Sequence, residues 1–120
     1  MLMNKTILVV DDNNMIRKLF SETLRQVGVN VIEAASAHHA IDALADGTYI
    51  DAIITDNTMP GMRGLQLAEK LNGRYPLLLI SSDDLTDTIR KLPYVTHFKR
   101  KPLMPSELLG CVKSLLSVSQ

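Results

Sequence analysis

Asp11 and Asp12 close the apolar run Ile7-Leu8-Val9-Val10, and Asp56 closes Ala52-Ile53-Ile54-Thr55. Runs of this kind read as strands buried on both faces. The three acids should therefore emerge together at the carboxyl edge of one parallel sheet, where open α/β sheets bind ligands. Carboxylates crowded at one edge repel one another, and without a cation one of them would take up a proton. The set points to a hard-cation site built from oxygen ligands, with Mg2+ the leading candidate.

The elements that must hold these acids follow from periodicity. Asn14 can cap a first helix with Ile16, Leu19, Phe20, Leu24 and Val27 on one face and Arg17, Lys18, Glu22, Arg25 and Gln26 on the other, ended by Gly28. Val29 to Ala35 reads as a second strand. Ser36 caps a short second helix with Ala40, Ile41 and Leu44 buried, stopped by Gly47. After the third strand, the turn Met59-Pro60-Gly61-Met62-Arg63-Gly64 leads into a helix with Leu65, Ala68 and Leu71 on one face.

Leu77 to Ile80 reads as a fourth buried strand, ending at Ser81 and Ser82. Leu85, Ile89 and Leu92 keep helical spacing, but Pro93 limits this helix to about two turns, marginal without tertiary support. Thr96 to Arg100 gives a short fifth strand. Pro105 opens a last helix with Leu108, Leu109, Val112, Leu115 and Leu116 on the core side. Five alternations of strand and helix argue for an α/β domain: a parallel sheet covered on both faces with right-handed crossovers.

At 120 residues, 46% of them hydrophobic, the whole chain 1–120 is one domain. Thirteen basic residues balance thirteen acidic ones and only 4% are aromatic, so the footprint of a nucleic-acid binder is missing, and output through DNA would need another chain. The single Cys111 repeats within the apolar spacing of the last helix and reads as a small buried hydrophobe, which suits a reducing cytoplasm. The stretch Thr6 to Val10 is too short for a signal peptide or a membrane span, so the expectation is a cytoplasmic protein with no membrane contact. His38 and His39 are helix neighbours about 100° apart and cannot share an ion.

Four pieces then carry a resemblance. Leu8-Val9-Val10-Asp11-Asp12, Thr55-Asp56-Asn57-Thr58-Met59-Pro60-Gly61-Met62-Arg63-Gly64, Ser81 closing strand four, and Lys101-Pro102 after strand five stand in order, each at the mouth of its own strand. Alone, each has a plain structural reading as a helix cap, a turn or a surface dipeptide. Together they resemble the receiver domain of two-component response regulators over essentially all of the chain.

That resemblance implies a flavodoxin-like, doubly wound sheet of five strands in the order 2-1-3-4-5 with five helices, the fourth short or irregular. It implies that Asp56 is the phosphoacceptor for a sensor histidine kinase or histidine phosphotransfer domain. Asp12, Asp56 and the main-chain carbonyl of Thr58 would bind Mg2+ directly, and Asp11 mainly through water. Lys101 and Ser81 would meet the phosphoryl oxygens, and Lys101-Pro102 would be cis. Phe98 would turn inward behind Ser81 as the switch, changing the helix-four, strand-five, helix-five face. That face would contact an unknown downstream protein or effector domain, and a homodimer, if one forms, would use it.

Some positions depart from the family pattern. Phe98 replaces a more frequent Tyr, which predicts a softer switch. Only twenty positions separate Ser81 from Lys101, and Pro93-Tyr94 stands where Gly-Ala is common, so the fourth helix should be truncated. Lys99 takes a commonly apolar place, which requires either an acidic partner or an exposed strand. Arg63 replaces a common acid where a cation opposes the helix dipole, and a partner's acid could explain it. Met104 stands where a capping residue is usual.

The leading expectation is an active receiver that phosphorylates and dephosphorylates itself and is not a turnover enzyme. It would be a stand-alone regulator, as Met1 suggests, or part of a larger regulator or hybrid kinase. The alternative is a pseudo-receiver serving as a phosphorylation-independent interaction module. A small phosphatase is disfavoured because Thr58 stands where a second catalytic acid would be needed.

Overall fold

A computed structural model describes residues 2–118 of the protein; Met1, on which the stand-alone expectation rests, lies outside them. The strands are β1 (Thr6–Val10), β2 (Asn30–Ala34), β3 (Ala52–Asp56), β4 (Leu77–Ser81) and β5 (His97–Arg100). All pairings are parallel, in the order β2-β1-β3-β4-β5 expected from the sequence. The helices are α1 (Asn14–Arg25), α2 (Ala37–Ala45), α3 (Gly64–Leu71), α4 (Thr86–Ile89) and α5 (Pro105–Val118). Among the described residues no helix is long and apolar enough to cross a membrane.

The apolar runs become strands because both of their faces are covered. Ile7 and Val9 of β1 pack with α1 and α5 residues such as Phe20, Leu24, Leu108 and Val112. Leu8 and Val10 point the other way, toward Ala40, Leu67 and Ala68 of α2 and α3. This double cover is what a parallel sheet needs, and it leaves β1, β3 and β4 almost entirely buried.

The pairing register sets the site. Val10 lies opposite Thr55, so Asp11 and Asp56 leave the sheet level with each other. Asp56 lies opposite Ile80, which puts Ser81 one step further, and Ser81 lies opposite Arg100, which puts Lys101 one step further again.

Local details correct several expectations. Asn13, not Asn14, caps α1, its side chain accepting from the Ile16 N–H at 3.0 Å. Asp11 Oδ1 accepts the Asn13 N–H at 2.9 Å, which fixes Asn13 outside the helix and settles the choice between the two asparagines. Leu19 is 45% exposed, at the border of the buried stripe that Phe20 and Leu24 centre. In α3, Leu67 is fully buried while Leu65 is only partly so.

The fourth helix is shorter than its spacing suggests: one turn of four residues, after which Leu92 N–H closes onto the Ile89 carbonyl at 2.8 Å. Lys99 lies on the exposed end of β5, so no buried ammonium arises. Met104 and Arg63 lack capping side chains, but their own N–H groups donate to Glu107 Oε1 at 3.0 Å and Gln66 Oε1 at 2.8 Å. Ser36 caps α2 as read from the sequence, with its hydroxyl oxygen 3.1 Å from the His39 N–H.

Candidate functional site

Carboxylate oxygens of Asp11, Asp12 and Asp56 all lie within 4.8 Å of one another at the carboxyl edge of the sheet. Asp11 is 4% exposed and held on three sides. Its N–H donates to the Ala34 carbonyl at 3.1 Å, its Oδ1 accepts from Asn13, and its carbonyl accepts from Arg17 Nη1 at 2.8 Å. Burial pushes the Asp11 pKa up, and the charges of Asp56 and Asp12 add to this against the opposing Asn13 hydrogen bond and Lys101. Asp12 is exposed and makes no hydrogen bond among the described residues.

Asp56 is 3% exposed, and Lys101 Nζ stands 2.6 Å from its Oδ1. The ammonium reaches inward from the first residue after β5, whose N–H donates to the Ser81 carbonyl at 2.9 Å. The Lys101–Pro102 bond is cis, as the resemblance implied. Ser81 is fully buried, and its Oγ accepts the Asp83 N–H at 3.0 Å, which leaves the hydroxyl hydrogen for another acceptor. Thr58 lies exposed two residues past Asp56, between buried Asn57 and Met59. Phe98 is half-buried against the core on the α2 and α3 side.

Every residue singled out at the strand mouths therefore gathers at one edge, while His38 and His39 are exposed on α2 and outside the acid cluster. Three carboxylates with a buried member whose charged form is disfavoured make a set able to hold a metal ion.

Two contributors were missed in the sequence. Asn57 ties the turn after β3: its N–H donates to the Ile80 carbonyl at 2.8 Å, its carbonyl accepts from Gly64 N–H at 3.0 Å, and its Oδ1 accepts from Leu65 N–H at 2.9 Å. The signal was an Asn directly after a strand, a residue that bonds local backbone. A Cβ on Gly64 would run into the Asp56 carbonyl, so α3 approaches the site as closely as a chain can. The second is Arg17, placed by periodicity on the outer face of α1 but turned onto the Asp11 carbonyl.

A cleft of about 830 Å³ lies elsewhere. It opens at the amino edge, where Tyr49, Tyr75 and Tyr94 line it with Pro76 and Pro93. The acid cluster lies at the opposite edge of the sheet. A smaller apolar cavity of about 180 Å³, lined by Leu19, Phe20, Pro102 and Leu103, adjoins Asp11 and Lys101.

The family model of the response regulator receiver domain matches residues 7–112. Protein PilG of Pseudomonas aeruginosa is 31% identical over 115 residues, covering 90% of this chain and 84% of PilG. The sensory/regulatory protein RpfC of Xanthomonas campestris is 32% identical over 117 residues, 90% of this chain but 16% of RpfC. The alkaline phosphatase synthesis transcriptional regulatory protein PhoP of Bacillus subtilis is 30% identical over 123 residues, 98% of this chain and 51% of PhoP. The chain thus spans only a fraction of the length of several relatives it matches. Among solved structures, the chemotaxis response regulator CheY4 of Vibrio cholerae superposes with a TM-score of 0.83 at 28% identity, covering 93% of this chain and 98% of that one.

Proposed function

The chain belongs to the response regulator receiver domain family, and from that membership we propose that Asp56 accepts a phosphoryl group from a phosphohistidine of a sensor histidine kinase or phosphotransfer domain. Receiver domains are two-component signalling domains and not turnover enzymes. The observation that carries the proposal is the placement of Lys101 Nζ 2.6 Å from the buried Asp56 Oδ1, beside two further acids.

In the proposed step an Asp56 carboxylate oxygen attacks phosphorus in line. The O–P bond forms, the N–P bond breaks, and the imidazole nitrogen keeps the electron pair. Lys101 pairs with a phosphoryl oxygen as a point charge, and the Ser81 hydroxyl donates to another. Mg2+ bound by Asp12, Asp56 and the Thr58 carbonyl, with Asp11 through water, would neutralise the acids and the incoming charge. Later attack of water on phosphorus forms a new O–P bond, breaks the bond to Asp56, releases inorganic phosphate and regenerates the carboxylate, so in this reading the protein catalyses its own phosphorylation and dephosphorylation.

The phosphoryl group carries about −1.5 to −2 where the free carboxylate carried a single negative charge, and its three oxygens draw Ser81 and Lys101 together around them. Phe98 then turns inward behind Ser81 and alters the α4, β5 and α5 face, where a downstream partner or a second copy would dock. Shifting such an element from 1:99 to 99:1 needs about 5.5 kcal/mol of differential binding. We place the protein in the cytoplasm, acting through protein partners without direct nucleic-acid or membrane contact. The pseudo-receiver alternative would leave the Asp56–Lys101 pair and the acid cluster without work, and no observation favours it.

The test is incubation with Mg2+ and a small phosphodonor, or with beryllium fluoride as phosphoryl mimic, comparing wild type with Asp56→Ala by intact mass and by amide NMR. Modification or mimic binding that requires Asp56 supports the proposal. Neither in the wild type, with the fold intact, sinks it.

A further inference from the structure

All three nitrogens of the Arg17 guanidinium are engaged. Nη1 donates to the Asp11 carbonyl at 2.8 Å, Nη2 to Asn14 Oδ1 at 2.7 Å, and Nε to Glu33 Oε1 at 3.1 Å. A single planar group therefore joins the end of β1, the first turn of α1 and the neighbouring strand β2. The Arg17 side chain is 16% exposed, and the other oxygen of Glu33 lies 3.3 Å from Arg25 Nη2, so the carboxylate that anchors it is itself held. An ion pair in this setting adds little to global stability, but its geometry is specific: a lysine has no fork to span three acceptors.

The consequence falls on Asp11. Its N–H, carbonyl and Oδ1 are all engaged, by Ala34, Arg17 and Asn13, which leaves Oδ2 as its one polar atom without a hydrogen bond. Resting on the receiver reading and its cation site, we propose that Arg17, anchored by Glu33, is a positioning residue that fixes the Asp11–Asn14 turn and so aims the free carboxylate oxygen of Asp11 at the cation's water shell. The alternative is that Arg17 only straps α1 to β2. Partners that orient metal ligands through the surrounding shell are typically worth 10- to 100-fold in metal affinity, whereas a strap would act on stability alone.

The test is Mg2+ titration by calorimetry or amide NMR on wild type, Arg17→Lys, Glu33→Gln, Asp11→Asn and the Arg17→Lys/Asp11→Asn double variant. We expect Arg17→Lys to weaken Mg2+ binding about tenfold or more, and Glu33→Gln to weaken it less. In the Asp11→Asn background Arg17→Lys should add less than about twofold, because the group it positions is already altered. An unchanged affinity in a folded Arg17→Lys variant, or equal losses in both backgrounds, overturns the positioning role. Should Arg17→Lys fail to fold, Glu33→Gln runs the same cycle. If wild type shows no Mg2+ binding that Asp12→Ala removes, the receiver reading itself falls and this proposal with it, an outcome distinct because the unsubstituted protein is then silent.

Discussion

At the ends of β1 and β3, Asp11 and Asn57 are each tied by three hydrogen bonds, while between β4 and β5 the chain makes one four-residue helical turn and leaves Asp83, Asp84, Asp87 and Lys91 exposed. Both regions border the same acid cluster. The difference teaches where this fold puts its rigidity. Groups that must hold charge in fixed geometry are immobilised beforehand by backbone bonds and close packing. The segment proposed to rearrange carries few buried contacts, as a low-stability element should.

The sharpest way to break this comparison is to cut into both regions. Leu8→Ala, in fully buried β1, should cost about 2–5 kcal/mol in urea unfolding, whereas Leu92→Ala, half-buried after α4, should cost under about 1 kcal/mol. Equal losses would mean that the β4 to β5 segment is as much a part of the core as the central strands.

A smaller effect is expected at the switch. Phe98→Tyr adds a hydroxyl that can hold one position of the ring, and a hydrogen bond of about 0.5–1.5 kcal/mol would shift the activated population roughly two- to tenfold. Amide NMR with beryllium fluoride reads that population, and an unchanged value removes the argument for a soft switch.

The smallest effect is local. Hydrogen bonds from the Thr86 hydroxyl at 2.6 Å and the Thr86 N–H at 3.1 Å hold the Asp84 pKa below its ordinary 3.8. The folded form therefore binds fewer protons than the unfolded one between the lowered value and 3.8, so this support is full above 3.8 and is lost as pH falls through the lowered pKa. The protection of the Ile89 and Arg90 amides, taken relative to their intrinsic exchange rate at each pH, should fall on acidification in that window, and Asp84→Asn should remove the dependence. A slope surviving that substitution would assign it to another group.

The sheet and its mouth residues were legible because a buried parallel strand needs an unbroken apolar run, and the residue ending the run falls at the sheet edge. Asp11, Asp56 and Ser81 are found this way, and Lys101 follows the last strand. The choice of Asn13 over Asn14 was not legible, since both are good caps and the decision lies in the Asp11 carboxylate. Arg17 was hidden for a similar reason: helical periodicity gives a face, not the length or aim of a long side chain whose partner Glu33 comes from another strand. Leu19 has core spacing but meets a turn, Pro102 and Leu103, that covers it only in part. Leu92 keeps helical spacing, yet α4 stops three residues short of it.

The three tyrosines share one further consequence. All of them line the amino-edge cleft, Tyr94 also borders a cavity with Asn57 and Gly61, and the chain has no tryptophan, so in its native ultraviolet emission only Tyr94 reaches toward the acids. A fluorescence titration of the unaltered protein would mix the far end, through Tyr49 and Tyr75, with the one ring that reaches the Asn57 turn. A Thr58→Trp substitution, two residues past Asp56 on an exposed turn, would give the working end a light of its own.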